Sequence, residues 1–229
     1  MTATQTSAGP MIREWRLRRR MSQLDLALEA EISQRHLSFV ESGRARPSRE
    51  MVLRLAEHMD VPLRQRNRLL MAAGFAPTYG ERDLGDPRLR PALAAVELVL
   101  KGHEPYPAIA VDRGWNMVLA NAAIAPFLEG VAEASLLEPP VNVLRLALHP
   151  GGLAPRILNL GEWRAHLIGR LRQQIDATAS PELEALEREL AAYPGRPVPA
   201  GHVHDPASGI AVPMRVDMGG TALSFITTI

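Results

Sequence analysis

Between Pro10 and Gly74 the chain is punctuated so often that no helix in it can run much beyond about a dozen residues. Pro10 suits a first helical turn, while Ser22, Ser33 and Ser48 each stand as an N-cap before an apolar-periodic run. Pro62 opens a last run, and Gly43 and Gly74 stop the third and fifth. Helices this short are not stable singly and must bury their apolar faces on one another. The segment 10–75 is therefore expected to be an all-α unit of five helices. Its inner faces are read as Ile12, Trp15 and Arg16, then Leu24, Ala27 and Leu28, then Leu37 and Val40, then Val52, Leu55, Ala56 and Met59. Residues 1–9 are small, polar and unpatterned, which predicts a disordered lead.

A stretch rich in Gly, Pro, Asp and Arg over 76–90 reads as a linker, and a second domain is expected over 91–229. Helical spacing runs over Pro91–Leu100. Two short strands, Ala108–Val111 and Trp115–Ala120, flank the turn Asp112-Arg113-Gly114 as a hairpin. A helix capped by Asn121 follows to Glu129, then helices over Val141–Leu148, Gly161–Asp176 and Pro181–Tyr193, the last with Ser180 as N-cap. Two alternating strands, Ile210–Met218 and Thr221–Ile229, close around Gly219-Gly220. The fold class is thus α+β, a five-helix head followed by an α/β body.

Composition excludes several functions. With 46% apolar and 22% charged residues and no long uncharged stretch, the chain has no membrane span. It holds no cysteine, so disulfides and thiolate chemistry are absent, and it opens with no secretory signal, which together predict the cytoplasm. No nucleophile elbow, phosphate loop or dinucleotide fingerprint occurs, so no catalytic residue is assigned and no cofactor is required. His202, His204 and Asp205 have metal-ligand chemistry, yet no third ligand stands at motif spacing, and no metal site is assigned. The formal net charge of +1 hides a division. Residues 1–76 carry 13 Arg against 8 Asp and Glu, whereas the remainder holds 13 Lys and Arg against 17 acidic residues. A basic head on an acidic body suggests that the head meets nucleic acid.

The second and third helices, joined through Glu31, Ile32 and Ser33, have the length and spacing of a helix-turn-helix. At 100° per residue Leu37 and Val40 set the inward direction of the third helix, and Arg35, Ser38 and Phe39 fall opposite, with Gln34 at its N-terminus. The segment Ile12–Met59 resembles the phage-repressor and xenobiotic-response-element family of DNA-binding domains, through Ser22-Gln23-Leu24, Ser33-Gln34-Arg35, Glu41-Ser42-Gly43-Arg44 and Pro47-Ser48. The resemblance implies that the start of the third helix enters the major groove of an operator. Gln34, Arg35, Ser38 and Phe39 are then the base-reading candidates: Arg35 suits guanine, Gln34 adenine, and Phe39 only a thymine methyl. Phe39 has a second reading as a residue rolled against the fourth helix. Gln23, His36, Arg44 and Arg46 suit phosphates, which position without specifying. Arg16 and Glu41 match the family's internal ion pair, and the resemblance further implies a homodimer on a pseudo-palindrome.

In the body, the Asp112-Arg113-Gly114 turn and the strand after it resemble the opening of a PAS domain. The longer string from Asn142 to Pro150, then Gly152–Ile157, Asn159, Glu162-Trp163 and Arg170-Leu171, looks like the MmyB-like bacterial transcription regulators, whose C-terminal domain is PAS-like and ligand-binding. That family continues beyond the strand at which this chain stops, so the natural chain is expected to run past Ile229. A sheet backed by helices would enclose an apolar cavity for an effector such as a fatty acid or another apolar metabolite. Trp115 and Leu119 from the hairpin, Phe127, Leu144, Trp163 and Leu167 from the helices, and Phe225 from the last strand are its lining candidates, with plain core packing as the alternative for each. His149 or Arg156 would meet a carboxylate head group, or else hold helix ends and the loop at Pro150. The competing function is a non-sensing repressor or antitoxin-like protein whose second domain only dimerises or binds another protein.

Overall fold

The computed structural model describes residues 7–80, 85–194 and 212–226 and divides into two compact units, one built on the chain up to Asp83 and the other beginning at Leu84. The His202, His204 and Asp205 group and the end of the chain at Ile229 lie outside the described residues.

The head holds five helices, α1 (Ala8–Arg18), α2 (Gln23–Glu29), α3 (Gln34–Glu41), α4 (Arg49–His58) and α5 (Leu63–Ala72). Its start differs from the sequence-based expectation. Ala8 and Gly9 belong to α1 and are buried, because Gly9 lies against the backbone carbonyls of Val40 and Glu41, where a side chain has no room. Serine caps open three helices: Ser33 Oγ accepts from His36 N and Ser48 Oγ from Met51 N, while Ser22 and Asp25 satisfy each other's backbone N–H groups. The core comprises Ile12 and Trp15 of α1, Leu37 and Val40 of α3, Val52 and Leu55 of α4, and Leu69 and Leu70 of α5. On α2 the inward residues are Leu26, Ala27 and Ala30, whereas Leu24 and Leu28 are 51% and 69% exposed. Two apolar strips spaced three and four residues apart coexist on this seven-residue helix, and packing against α3 selects the one with the smaller side chains.

The expected linker is anchored at its start. Buried Asn67 accepts hydrogen bonds from the N–H groups of Thr78 and Tyr79 through Oδ1 and donates Nδ2 to Tyr79 O at 2.6 Å, so the chain after α5 folds back on the head.

The body begins with a 3-10 turn at Pro87–Leu89 running into α6 (Arg90–Gly102), then β1 (Ile109–Val111), β2 (Met117–Ala120) and α7 (Ala125–Leu128). After these come α8 (Val143–Leu148), α9 (Leu160–Thr178), α10 (Pro181–Ala192), β3 (Pro213–Met218) and β4 (Thr221–Ile226). Both strand pairs are antiparallel hairpins, β1–β2 and β3–β4, and among the described residues they do not join into one sheet. Isolated bridges, Asn116 with Asn142 and Ile157 with Val216, tie the hairpins to the helical part instead. The core of this unit is helical: Leu144, Leu146 and Leu148, Trp163, Leu167 and Leu171, and Leu183, Leu186 and Leu190, with Val216 of β3 against them.

Two polar residues take unexpected places. Trp115, read as strand, sits in the turn at φ +64°, a left-handed conformation that is uncommon for a bulky side chain. Its indole N–H donates to Gln174 Oε1 at 2.7 Å, and Gln174 donates in turn to Arg113 O, which clamps the turn on α9. Asn121, read as a helix cap, makes no cap bond. Its side chain accepts from Ala108 N and donates to Leu100 O and Tyr106 O, joining the end of α6 to the hairpin.

Candidate nucleic-acid interface and ligand-binding domain

The junction between α2 and α3 is four residues long, Ala30 to Ser33, one more than the sequence reading because Ala30 caps α2, and Glu31 turns the chain there at φ +53° while Ile32 N donates to Ala27 O. One carboxylate then sets the roll of α3. Glu41, at its last residue, accepts Nε and Nη2 of Arg16 at 2.7 and 3.0 Å, and Gln23 Nε2 donates to the same carboxylate at 2.8 Å. Arg16 Nη1 donates to Met21 O, so the guanidinium is satisfied on both sides of its fork. Gln23, expected at a phosphate, thus spends its amide donor inside the head, through an 18-residue separation that no local pattern reveals.

With Leu37 and Val40 buried, α3 presents Gln34 and Arg35 exposed and His36, Ser38 and Phe39 half-buried. The Arg35 guanidinium carbon lies 5.4 Å from the centroid of the Phe39 ring. Gly43 ends the helix at φ +74°, and the loop after it holds Arg44 and Arg46 exposed. Most other arginines of the head are engaged. Arg18 binds Glu14, Arg49 binds Thr78, Arg54 binds Glu50 and Ala30 O, Arg66 binds Val61 O, and Arg68 binds Gln65. Arg19 donates to Met59 O and Asp60 O and lies over the Trp15 ring, closing the end of α4. Arg35, Arg44 and Arg46 make no hydrogen bond or ion pair among the described residues. Arg13 and Arg20, also exposed, make none either; Arg35, Arg44 and Arg46 are the members of this set that share α3 and its following loop.

In the body, Phe127, Leu144, Trp163 and Leu167 lie in one buried cluster, with Trp115 and Phe225 half-buried against it and Phe225 edge-on to Phe127 at 5.1 Å. Leu119 is half-buried outside that cluster. Arg156, expected at a head group, donates to Pro126 O, Phe127 O, Glu129 O, Asp217 O and Met218 Sδ, which fastens β3 to the end of α7. His149 Nδ1 accepts from Gly151 N, and its ring meets Tyr193 edge-on at 4.9 Å. Trp163 Nε1 is the one buried side-chain polar atom without a hydrogen-bond partner among the described residues. A buried donor left unpaired costs about 1–3 kcal/mol.

One cleft of the body is polar. It has a volume of about 470 Å³ and is bounded by Glu133, Ser135 and Glu138 on one side and by Arg145, His149, Glu189 and Tyr193 on the other. Sequence reading missed this network because its partners lie 44 residues apart: Arg145 binds Glu189 through both carboxylate oxygens, at 2.8 and 2.7 Å, and Tyr193 Oη donates to Glu189 at 2.6 Å. The Arg145 hydrogen bond holds the Glu189 carboxyl below its ordinary range. Burial, then the hydrogen bond to Glu189, pushes the Tyr193 phenol up to about 12.

Two family profiles match the chain. Residues 12–65 match a helix-turn-helix domain, and residues 92–227 match the ligand binding domain of MmyB-like transcription regulators. The chain belongs to the MmyB-like transcription regulator family. It is accordingly a DNA-binding transcription regulator with a ligand-binding domain, and both matched families are regulator domains rather than enzymes. No curated protein matches the regulator significantly. No helix among its described residues is long and apolar enough to cross a membrane.

Two outcomes follow for the regulator. Glu41→Leu should cost about 3–5 kcal/mol in urea denaturation by stranding Arg16 in the core, and adding Arg16→Met should restore most of it; a single-variant loss under about 1 kcal/mol would mean the pair is hydrated. The raised Tyr193 value makes the native state hold a proton that the unfolded chain releases near the ordinary value of 10. The stability gained from Tyr193 is complete below that pH and disappears as the pH rises towards about 12. Phenolate absorbance should show a late step near pH 12 that Tyr193→Phe removes, and an unchanged titration in that variant would refute the assignment.

Proposed function

We propose that the regulator binds an operator as a homodimer and that an apolar effector carrying one hydrogen-bond acceptor biases that binding. The observation that carries the DNA half is the placement of cations. Arg35, Arg44 and Arg46 have no hydrogen-bond or ion-pair partner among the described residues and share one helix and its loop. In this reading Gln34, Arg35 and Ser38 face base edges with Phe39 beside Arg35 on the same face, while His36, Arg44 and Arg46 approach phosphates and Gln23 braces Glu41 near the backbone. A single short recognition helix covers too few base pairs for tight binding, so two copies would sit on half-sites separated by about 34 Å or a multiple.

The effector half is supported by the unpartnered indole N–H of Trp163, which would donate to a ligand carbonyl or carboxylate among the apolar side chains around it. The competing reading, in which this domain only dimerises or binds a partner protein, is favoured by the dense packing of Phe127, Leu144, Trp163 and Leu167.

Binding of duplexes carrying a selected operator tests the first half: Arg35→Ala should lose about 1–3 kcal/mol on the operator and far less on unrelated sequence. A uniform loss on both would reassign Arg35 to a phosphate. Sedimentation of the purified chain as a monomer at micromolar concentration, with no cooperative DNA binding, would count against the dimer. For the second half, saturated fatty acids of graded chain length serve as probes. A ligand at one hundred times its Kd raises stability by about 2.7 kcal/mol, and Trp163→Phe should reduce that gain for the same acid. Unchanged melting across the whole series would favour the non-sensing reading.

A further inference from the structure

We propose that Phe39 is a positioning residue for base recognition: its ring holds the Arg35 guanidinium in place on the outer face of α3. The inference rests on the reading of Arg35 as a base contact. Arg35 and Phe39 stand four residues apart on one helix, so their side chains occupy the same strip. The guanidinium carbon is 5.4 Å from the ring centroid, within range of cation–π attraction. Arg35 has no hydrogen bond or ion pair among the described residues, so the ring contact is what restrains its long side chain.

The ring itself sits on a firm base. Phe39 is half-buried, on a helix held to the core by the buried Leu37 and Val40. Its carbonyl accepts from Ala45 N at 3.0 Å and from Ser42 Oγ at 3.3 Å, which ties the backbone of Phe39 to the chain after α3. A phenyl group has no donor or acceptor and can itself touch only a thymine methyl. Its chemistry suits it better to presenting a neighbour. A bidentate contact to guanine O6 and N7 requires the planar fork of Arg35 to arrive in one orientation, and a guanidinium already stacked loses less freedom on arrival.

The test uses the full chain and a duplex selected from random sequence, compared with duplexes in which each base pair is exchanged in turn, at constant salt. Arg35→Ala should identify the guanine by abolishing discrimination there. Phe39→Leu should lower discrimination at that same base pair by about three- to ten-fold while leaving affinity for unrelated DNA and the salt dependence unchanged. Phe39→Tyr, which keeps the π face, should restore it. In the Arg35→Ala background Phe39→Leu should have no further effect. Phe39→Met, apolar and of similar volume, provides a second variant should Phe39→Leu melt early. If Phe39→Leu leaves guanine discrimination intact, or moves the loss to an A·T pair, the ring does not act through Arg35 and the proposal falls. If Arg35→Ala weakens all duplexes equally, the base-contact reading fails first and takes the proposal with it.

Discussion

The head turns on a single carboxylate. Glu41 closes α3, and it receives Arg16 from the last turn of α1 and Gln23 from the first residue of α2, so three helices meet at two oxygen atoms. A buried pair of this kind contributes little net stability compared with apolar side chains of equal volume, because desolvation offsets the attraction. What it supplies is direction. Once Glu41 points inward, the helix period forces Leu37 and Val40 inward as well, and Gln34 and Arg35 are left on the outside. Gly9 tightens the same corner from the other side, since the start of α1 lies directly on the last carbonyls of α3.

The body solves a different problem. Its strands form only two-stranded ladders among the described residues, and such hairpins are marginal without support. Asparagine side chains supply much of the missing cross-linking. Asn121 joins β2 to the end of α6, and Asn159 holds Pro213 O and Arg215 N of β3. Asn142 caps α8 while donating to Gly114 O in the first hairpin's turn. An amide carries both donor and acceptor, so one buried side chain can substitute for a rung of sheet. Arg156 does the same with donors alone, gathering carbonyls from α7 and β3.

Much of this was legible in the residues. The serine caps, the apolar spacing of α3 and α4, the Gly219-Gly220 turn and the helices from Val143 to Ala192 follow from short-range chemistry that any window of a dozen residues exposes. The failures have a common cause. Leu24 and Leu28 make as good a helical strip as Leu26 and Ala30, and only the neighbouring helix decides between them. Trp115 alternates like a strand residue, yet its partner Gln174 is 59 positions away and draws it into the turn. The intramolecular acceptors that Arg156 and Gln23 meet are likewise far along the chain, which a local window does not show.

The sequence by itself determined the division into a basic helical head and an acidic mixed body, the positions of the caps, and the family to which both parts belong, because composition, punctuation and motif spacing are properties of the chain before it folds. Tertiary structure alone decided which arginines remain unspent, which leucines face inward, and that Trp163 is buried without a partner. These depend on groups brought together from far along the chain. A side chain's availability is what remains after every other group has found its partner, and no local pattern records that.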